Sequence, residues 1–138
     1  MITLSFKISL KGNKETVWDN YCQVDKWHAW DKHLETVSLE RDFEKGTIGQ
    51  MIVLGQPALS FQLIDVQKYQ SFSNLATTPF GQVVFDHQIR ELEAGKISIE
   101  HSVSLLTEEV EDVHMIFLKD VFEDVPQSVL TLKELIEG

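Results

Sequence analysis

The order of periodicities along the chain constrains its fold more than any other feature. One alternating strand leads into a short aromatic-rich helical stretch, a long run of strands follows, and a helix closes the chain. All three tryptophans, Trp18, Trp27 and Trp30, lie in the helical stretch Asn13-Lys-Glu-Thr-Val-Trp-Asp-Asn-Tyr-Cys-Gln-Val-Asp-Lys-Trp-His-Ala-Trp-Asp31. Such a layout points to a curved sheet around a cavity, and so to binding of something apolar.

Ile2, Leu4, Phe6, Ile8 and Leu10 share one face of the first strand. Gly12-Asn13 then opens a helix that Asn13 can cap, with Val17, Trp18 and Tyr21 turned inward and an end near Cys22. Val24 to Trp30 reads as a second helical turn. Glu35, Val37, Leu39, Arg41 and Phe43 mark one side of the second strand. Gly55-Gln-Pro57 and Thr78-Pro-Phe-Gly81 carry turn chemistry and separate strands near residues 59–68, 71–77 and 82–92. Asp65 and Gln67 break the alternation begun by Leu59, Phe61 and Leu63, and a bulge there would reset the parity.

Two hairpins are readable nearly to the residue. Glu44-Lys45-Gly46 and Glu93-Ala94-Gly95 are three-residue loops with glycine last, as a type I turn followed by a left-handed bulge residue requires. In the first, Phe43 is expected to face Thr47, which puts Leu39 opposite Met51 and Val37 opposite Val53. In the second, Leu92 and Lys96 close the loop, so Ile89 faces Ile99, His87 faces His101 and Phe85 faces Val103.

From about Thr107 the period becomes helical. Val113, Phe117, Val121, Val125, Val129, Leu132 and Ile136 form the apolar stripe of one long helix. Pro126 within it costs a backbone hydrogen bond, so a kink or split near Glu123-Asp124 is expected, with Pro126 starting the second piece. The acidic run Glu108-Glu109-Val-Glu111-Asp112 reads as a solvated helix start favoured by the helix dipole.

Composition excludes several classes of function. At 138 residues the chain fits a single domain, residues 1–138, with one core. A net charge of −10 repels phosphate backbones and anionic bilayers, so nucleic acid is not an expected partner. No apolar run approaches the roughly 18 residues that a spanning helix needs, and membrane insertion is not expected. The alternating N-terminus reads as a strand and not as an export signal, and the lone Cys22 has no disulfide partner; a cytoplasmic location is the expectation.

Several positions resemble a known family. Val17-Trp18, Val24-Asp25, Trp27-x-x-Trp30-Asp31, Val37-x-Leu39, Gly46-x-x-Gly49 and Leu132-Lys133-x-x-Ile-Glu137 resemble the START-like (Bet v 1-like, SRPBCC) superfamily, especially its polyketide cyclase-like bacterial members. The resemblance spans essentially the whole chain. It implies an α+β helix-grip fold: a seven-stranded antiparallel sheet wrapped around a long C-terminal helix, with two short helices after the first strand and a cavity between sheet and helix. His28 stands where such sequences often carry proline.

Candidate site residues follow from parity. His87 and His101 both fall on the inward, apolar side of the second hairpin, close enough to share a hydrogen bond or a water. A buried structural pair and a ligand contact are both open readings. A zinc site would require further ligands, for which only His114 or Glu91 offer themselves, so neither metal nor cofactor is expected. Arg41 has the parity of Leu39 and sits near a strand end, where it meets either an anionic head group or a surface carboxylate. Tyr69 and Asn74 offer a hydroxyl and an amide. Trp30, Phe85 and Phe117 serve either as core or as ligand wall.

No nucleophile elbow, metalloprotease helix or phosphate loop is present. The expected function is therefore binding of a small hydrophobic or amphipathic ligand, with His87, His101 and Arg41 orienting its polar end, and Phe85, Trp30, Phe117 and Tyr69 around it. Catalytic residues remain unassigned. A polyketide cyclase or dehydratase-like enzyme is the first alternative, and a protein-interaction module, with room for a homodimer, is the second.

Overall fold

The computed structural model describes residues 1–138. Seven antiparallel strands form one sheet: β1 (Ile2–Lys11), β2 (Leu34–Leu39), β3 (Ile48–Val53), β4 (Leu59–Gln67), β5 (Ser71–Thr78), β6 (Gly81–Glu91) and β7 (Lys96–Leu106). Their spatial order is β1-β7-β6-β5-β4-β3-β2, so the first two strands form the sheet's edges. Between them run α1 (Lys14–Cys22), a 3-10 turn at Val24–Lys26 and α2 (Trp27–Trp30). The chain closes with α3 (Asp112–Phe122) and α4 (Val125–Glu137). No helix is long and apolar enough to cross a membrane.

Helix α1 starts where its cap predicts, with the Thr16 N–H donating to Asn13 Oδ1 at 2.8 Å. Its inward stripe is Val17, Trp18 and Tyr21, all buried. The C-terminal helix splits as expected: α3 ends at Phe122, α4 begins at Val125, and Pro126 stands in the first turn, where its missing N–H costs nothing. Two corrections apply there. Residues 107–111 are not helical, because the turn is set by the Glu111 N–H donating to His114 Nδ1 at 3.1 Å. The stripe also starts later, since Val113 is 45% exposed while Leu118 is fully buried against Val83, Val103 and Leu105.

The β6–β7 register is as predicted, with Ile89 opposite Ile99, His87 opposite His101 and Phe85 opposite Val103. Gly95 supplies the required left-handed residue at φ +76°. The first hairpin departs from expectation. β2 ends at Leu39, leaving Arg41 and Phe43 in a loop, and the observed pairs are Val37 with Met51 and Leu39 with Gly49. The cause is competition from β4. Gly46 N–H donates to Leu63 O at 2.7 Å and Leu63 N–H to Thr47 O at 2.9 Å, so residues 46 and 47 pair with β4 and not with β2. Thr47, fully buried, locks the loop by donating its hydroxyl to Asp42 O at 2.8 Å.

The expected bulge in β4 lies between Leu63 and Asp65, where Ile64 is the extra residue. Inward parity passes from Phe61 and Leu63 to Val66, which joins the core. The core has two parts. The larger one gathers the tryptophans with Tyr21, Phe61, Phe72, Ile97, Ile99, Val129 and Leu132. The smaller one, Val83, Val103, Leu105 and Leu118, lies under α3. Each fully buried aliphatic or phenylalanine side chain contributes about 1.5–3 kcal/mol relative to exposure.

Candidate functional site

The site is a polar band crossing the concave face of three neighbouring strands. On β7, His101 stands between Ile99 of the larger cluster and Val103 of the smaller one. Its partner His87 occupies the matching place on β6, between Ile89 and Phe85. On β5, Asn74 follows Phe72, which pairs with His87, and shares its inward face. Polar groups at these positions divide an otherwise apolar wall.

Local structure holds each ring. The two imidazole centroids are 4.7 Å apart and nearly perpendicular at 74°. His87 lies flat on Phe72, with centroids 3.9 Å apart and planes within 5°. Its Nδ1 is 3.1 Å from the Phe72 carbonyl oxygen, which can only accept, so His87 carries its proton on Nδ1. Tyr21 reaches down from α1 and its hydroxyl meets His101 Nε2 at 2.7 Å. Trp30 presents its ring to both histidines, at 6.5 Å from His87 and 5.7 Å from His101.

The aromatic knot that closes this end is tied to α1 through orphan carbonyls of the helix terminus. Trp27 Nε1 donates to Tyr21 O at 2.8 Å, and Trp30 Nε1 donates to Asn20 O at 3.2 Å. Trp27 also stacks between Phe61 and Phe72, at 6.0 and 5.7 Å. Thus the indole N–H groups of Trp27 and Trp30 are satisfied while their rings cover the sheet.

Burial governs the charge state of the band. It lowers the His87 pKa to about 4, a shift opposed by the hydrogen bond to Phe72. His101 is held well below the usual imidazole range by burial, and further by repulsion from a charged His87. The Tyr21 phenol is pushed up by burial. All three groups are neutral at pH 7. Asn74, 3% exposed, has a carbonyl oxygen Oδ1 with no hydrogen-bonding partner in the protein.

The predicted residues separate into groups. His87, His101 and Trp30 come together. Phe85 and Phe117 both pack against the smaller cluster, and Phe117 stacks on Phe80 at 4.6 Å. Tyr69, at φ +66° in the β4–β5 turn, sets its ring 6.4 Å from Trp18. Arg41 is exposed in the β2–β3 loop and makes no ion pair. The two residues considered as further metal ligands are engaged elsewhere: His114 caps α3 and Glu91 pairs with Lys14 at 2.9 Å. No group of three or more histidine, cysteine or carboxylate side chains is arranged to hold a metal ion.

Sequence reasoning placed Tyr21 in the core without giving its hydroxyl a role. The available signal was that Tyr21 is the one member of the α1 stripe whose tip is a hydroxyl. The cavity expected from the sequence lies between the sheet and the C-terminal helix. Between α1, α2 and the sheet, the space is occupied by the packed rings of Tyr21, Trp27, Trp30, Phe61 and Phe72. Two of the molecule's concavities lie away from these rings. One of about 290 Å³ sits between Gly12-Asn13 and the β6–β7 turn, and one of about 200 Å³ is lined by Lys7, Gln88, Arg90 and Glu100.

No protein-family model and no curated protein matches the chain. Solved structures do. The Aha1 dimer from Colwellia psychrerythraea is similar with a TM-score of 0.75 at 13% identity, over 99% of this chain and 97% of that one. Truncated norcoclaurine synthase from Thalictrum flavum is similar with a TM-score of 0.75 at 10% identity, over 98% of this chain and 92% of that one. Ara h 8.0201 gives a TM-score of 0.72 at 13% identity, over 99% of this chain and 95% of that one. At such identities the likeness speaks for architecture, and this chain has a Bet v 1-like helix-grip fold.

Proposed function

We propose that the chain binds a small hydrophobic or amphipathic molecule against the concave face of the sheet, its polar end at His87 and Asn74. The observation that carries this reading is Asn74. A side chain 3% exposed with an unpartnered amide oxygen, one strand from the neutral His87 in an aromatic wall, is a costly arrangement for a core that only has to pack. Apolar walls with a few fixed polar points are the usual make-up of ligand sites. A relative in fold, norcoclaurine synthase, has been solved with dopamine and hydroxybenzaldehyde, which supports this use of the scaffold.

Binding requires the rings to move. The element best suited to it is α2, a four-residue helix whose Trp30 lies over both histidines. Native mass spectrometry of freshly purified protein, against a denatured and solvent-extracted control, tests the reading. A co-purifying apolar mass that leaves on unfolding supports it. A bare protein mass, together with no saturable binding of naphthalene-sized probes, overturns it.

Two other readings have their own observations. The Tyr21–His101 hydrogen bond would serve a cyclase or dehydratase-like enzyme as an acid–base pair, and turnover lost in Tyr21→Phe would favour it. The filled interior favours a protein-interaction module. Phe80, Leu106, Val113 and Ile116 are 38–61% exposed on the surface, and the fold relative Aha1 is a dimer. A concentration-dependent mass in sedimentation would favour that reading, including a homodimer.

A further inference from the structure

Resting on the ligand-binding reading, we infer that the buried end of the ligand is an uncharged hydrogen-bond donor, an alcohol or phenol hydroxyl. The band has hydrogen-bonding capacity left over. His87 commits its one N–H, on Nδ1, to the Phe72 carbonyl at 3.1 Å, so its Nε2 is a bare acceptor. Asn74 Oδ1 is a second acceptor without a donor. Tyr21 and His101 Nε2 satisfy each other at 2.7 Å. Asn74 Oδ1 is therefore the buried acceptor without a donor, with the half-buried His87 one strand away, and a ketone, ether or ester oxygen cannot donate to it.

Charge excludes the remaining head groups. No lysine or arginine is among the buried residues, so a carboxylate or phosphate would lie there without a counter-ion. Buried carboxylates to receive an ammonium are equally absent. Asp86 points to the opposite face of the sheet, where it accepts hydrogen bonds from Ser73 and Gln88. Asp31, partly buried, answers to His33 and Asp124 at the α3–α4 break. A neutral hydroxyl supplies its one proton to Asn74 Oδ1 without bringing a charge.

Four probes of one size separate the alternatives: naphthalene, 2-naphthol, 2-methoxynaphthalene and 2-naphthoate, titrated into the full chain by tryptophan fluorescence. The expected order places 2-naphthol about tenfold tighter than 2-methoxynaphthalene, with 2-naphthoate weakest. Asn74→Leu should abolish the preference, so that 2-naphthol and 2-methoxynaphthalene bind alike. Nitrogen-15 NMR of the wild-type side-chain amides gives a readout independent of that variant's folding: 2-naphthol should move the Asn74 Nδ2 resonance more than 2-methoxynaphthalene does. Equal affinity for these two probes, as when water alone serves the acceptors, overturns the inference while leaving apolar binding intact. Tighter binding of 2-naphthoate does the same. No binding of any probe at about 1 mM overturns both the inference and the reading beneath it.

Discussion

The Tyr21 hydroxyl lies 2.7 Å from His101 Nε2, joining α1 to β7 across 80 residues of sequence. Both groups are buried, Tyr21 completely and His101 to 5% exposure, so neither can turn to water if the other is removed. Tyr21→Phe keeps the ring and strips the bond. We expect a loss of about 1–3 kcal/mol, the cost of a buried polar group left without its partner. Urea unfolding measures it. In the double variant Tyr21→Phe/His101→Phe the two losses should fall short of additivity, and strict additivity would mean that the contact is not formed.

Stability should fall in mild acid. The His87 pKa is lowered to about 4 in the folded chain and returns to about 6.5 on unfolding, so the unfolded state binds more protons between these values. The contribution is fully present above pH 6.5, declines as pH drops, and is gone below about pH 4. His101 is shifted in the same direction by burial and adds to the slope. From the His87 shift alone the loss is on the order of 2–3 kcal/mol between pH 7 and pH 4, trimmed by the partial exposure of the residue. Denaturant midpoints across this window should follow that slope in the wild type and flatten in His87→Phe. A wild-type midpoint independent of pH from 7 to 4 would contradict the burial of neutral imidazoles.

Gly49 tests the packing of β3 on β4. A Cβ at this position would run into the Phe61 ring, which is 2% exposed and stacks on Trp27. Gly49→Ala should therefore destabilise by about 1–3 kcal/mol through overpacking. Gly46→Ala meets no atom within 4 Å but must hold φ +96°, so its cost is backbone strain alone. Near-ultraviolet circular dichroism tells them apart, because only Gly49→Ala displaces aromatic rings. An unaltered aromatic signal in Gly49→Ala would refute the contact.

The histidine pair was legible in the sequence because a three-residue turn fixes the register of the whole hairpin: once Gly95 is placed, His87 must face His101. The same reasoning failed at Gly46, where the turn forms but Thr47 pairs with β4, and no local signal reveals a competing strand. Arg41 lost its inward parity for that reason. Asn74 could be named but not oriented, since parity in this region depends on where Ile64 bulges. The Tyr21–His101 bond was out of reach because patterns reveal which faces are buried, while the meeting of two side-chain tips depends on how a helix is laid across a sheet. The close packing of the aromatic knot belongs to the same class, being decided by the rotamers of Trp27, Trp30 and Phe72.

Trp30 links stability to the proposed site. Its ring covers both histidines, is 5% exposed, and is anchored by a single N–H bond to Asn20 O at 3.2 Å. Trp30→Ala should cost about 3–5 kcal/mol, because the indole is lost and the surrounding rings collapse only partly into its space. The remaining void would border the imidazoles and the Tyr21 hydroxyl, where an aromatic probe fits. A probe that binds only the folded state raises stability according to its concentration, by about 2.7 kcal/mol at one hundred times its dissociation constant. Thermal unfolding of Trp30→Ala with and without saturating 2-naphthol should therefore recover a large part of the loss, whereas Gly46→Ala, strained in the β2–β3 loop, should recover no more than the wild type gains. Equal recovery in the two variants would mean that the probe binds away from the band, and the cover that Trp30 provides would then have no bearing on ligand access.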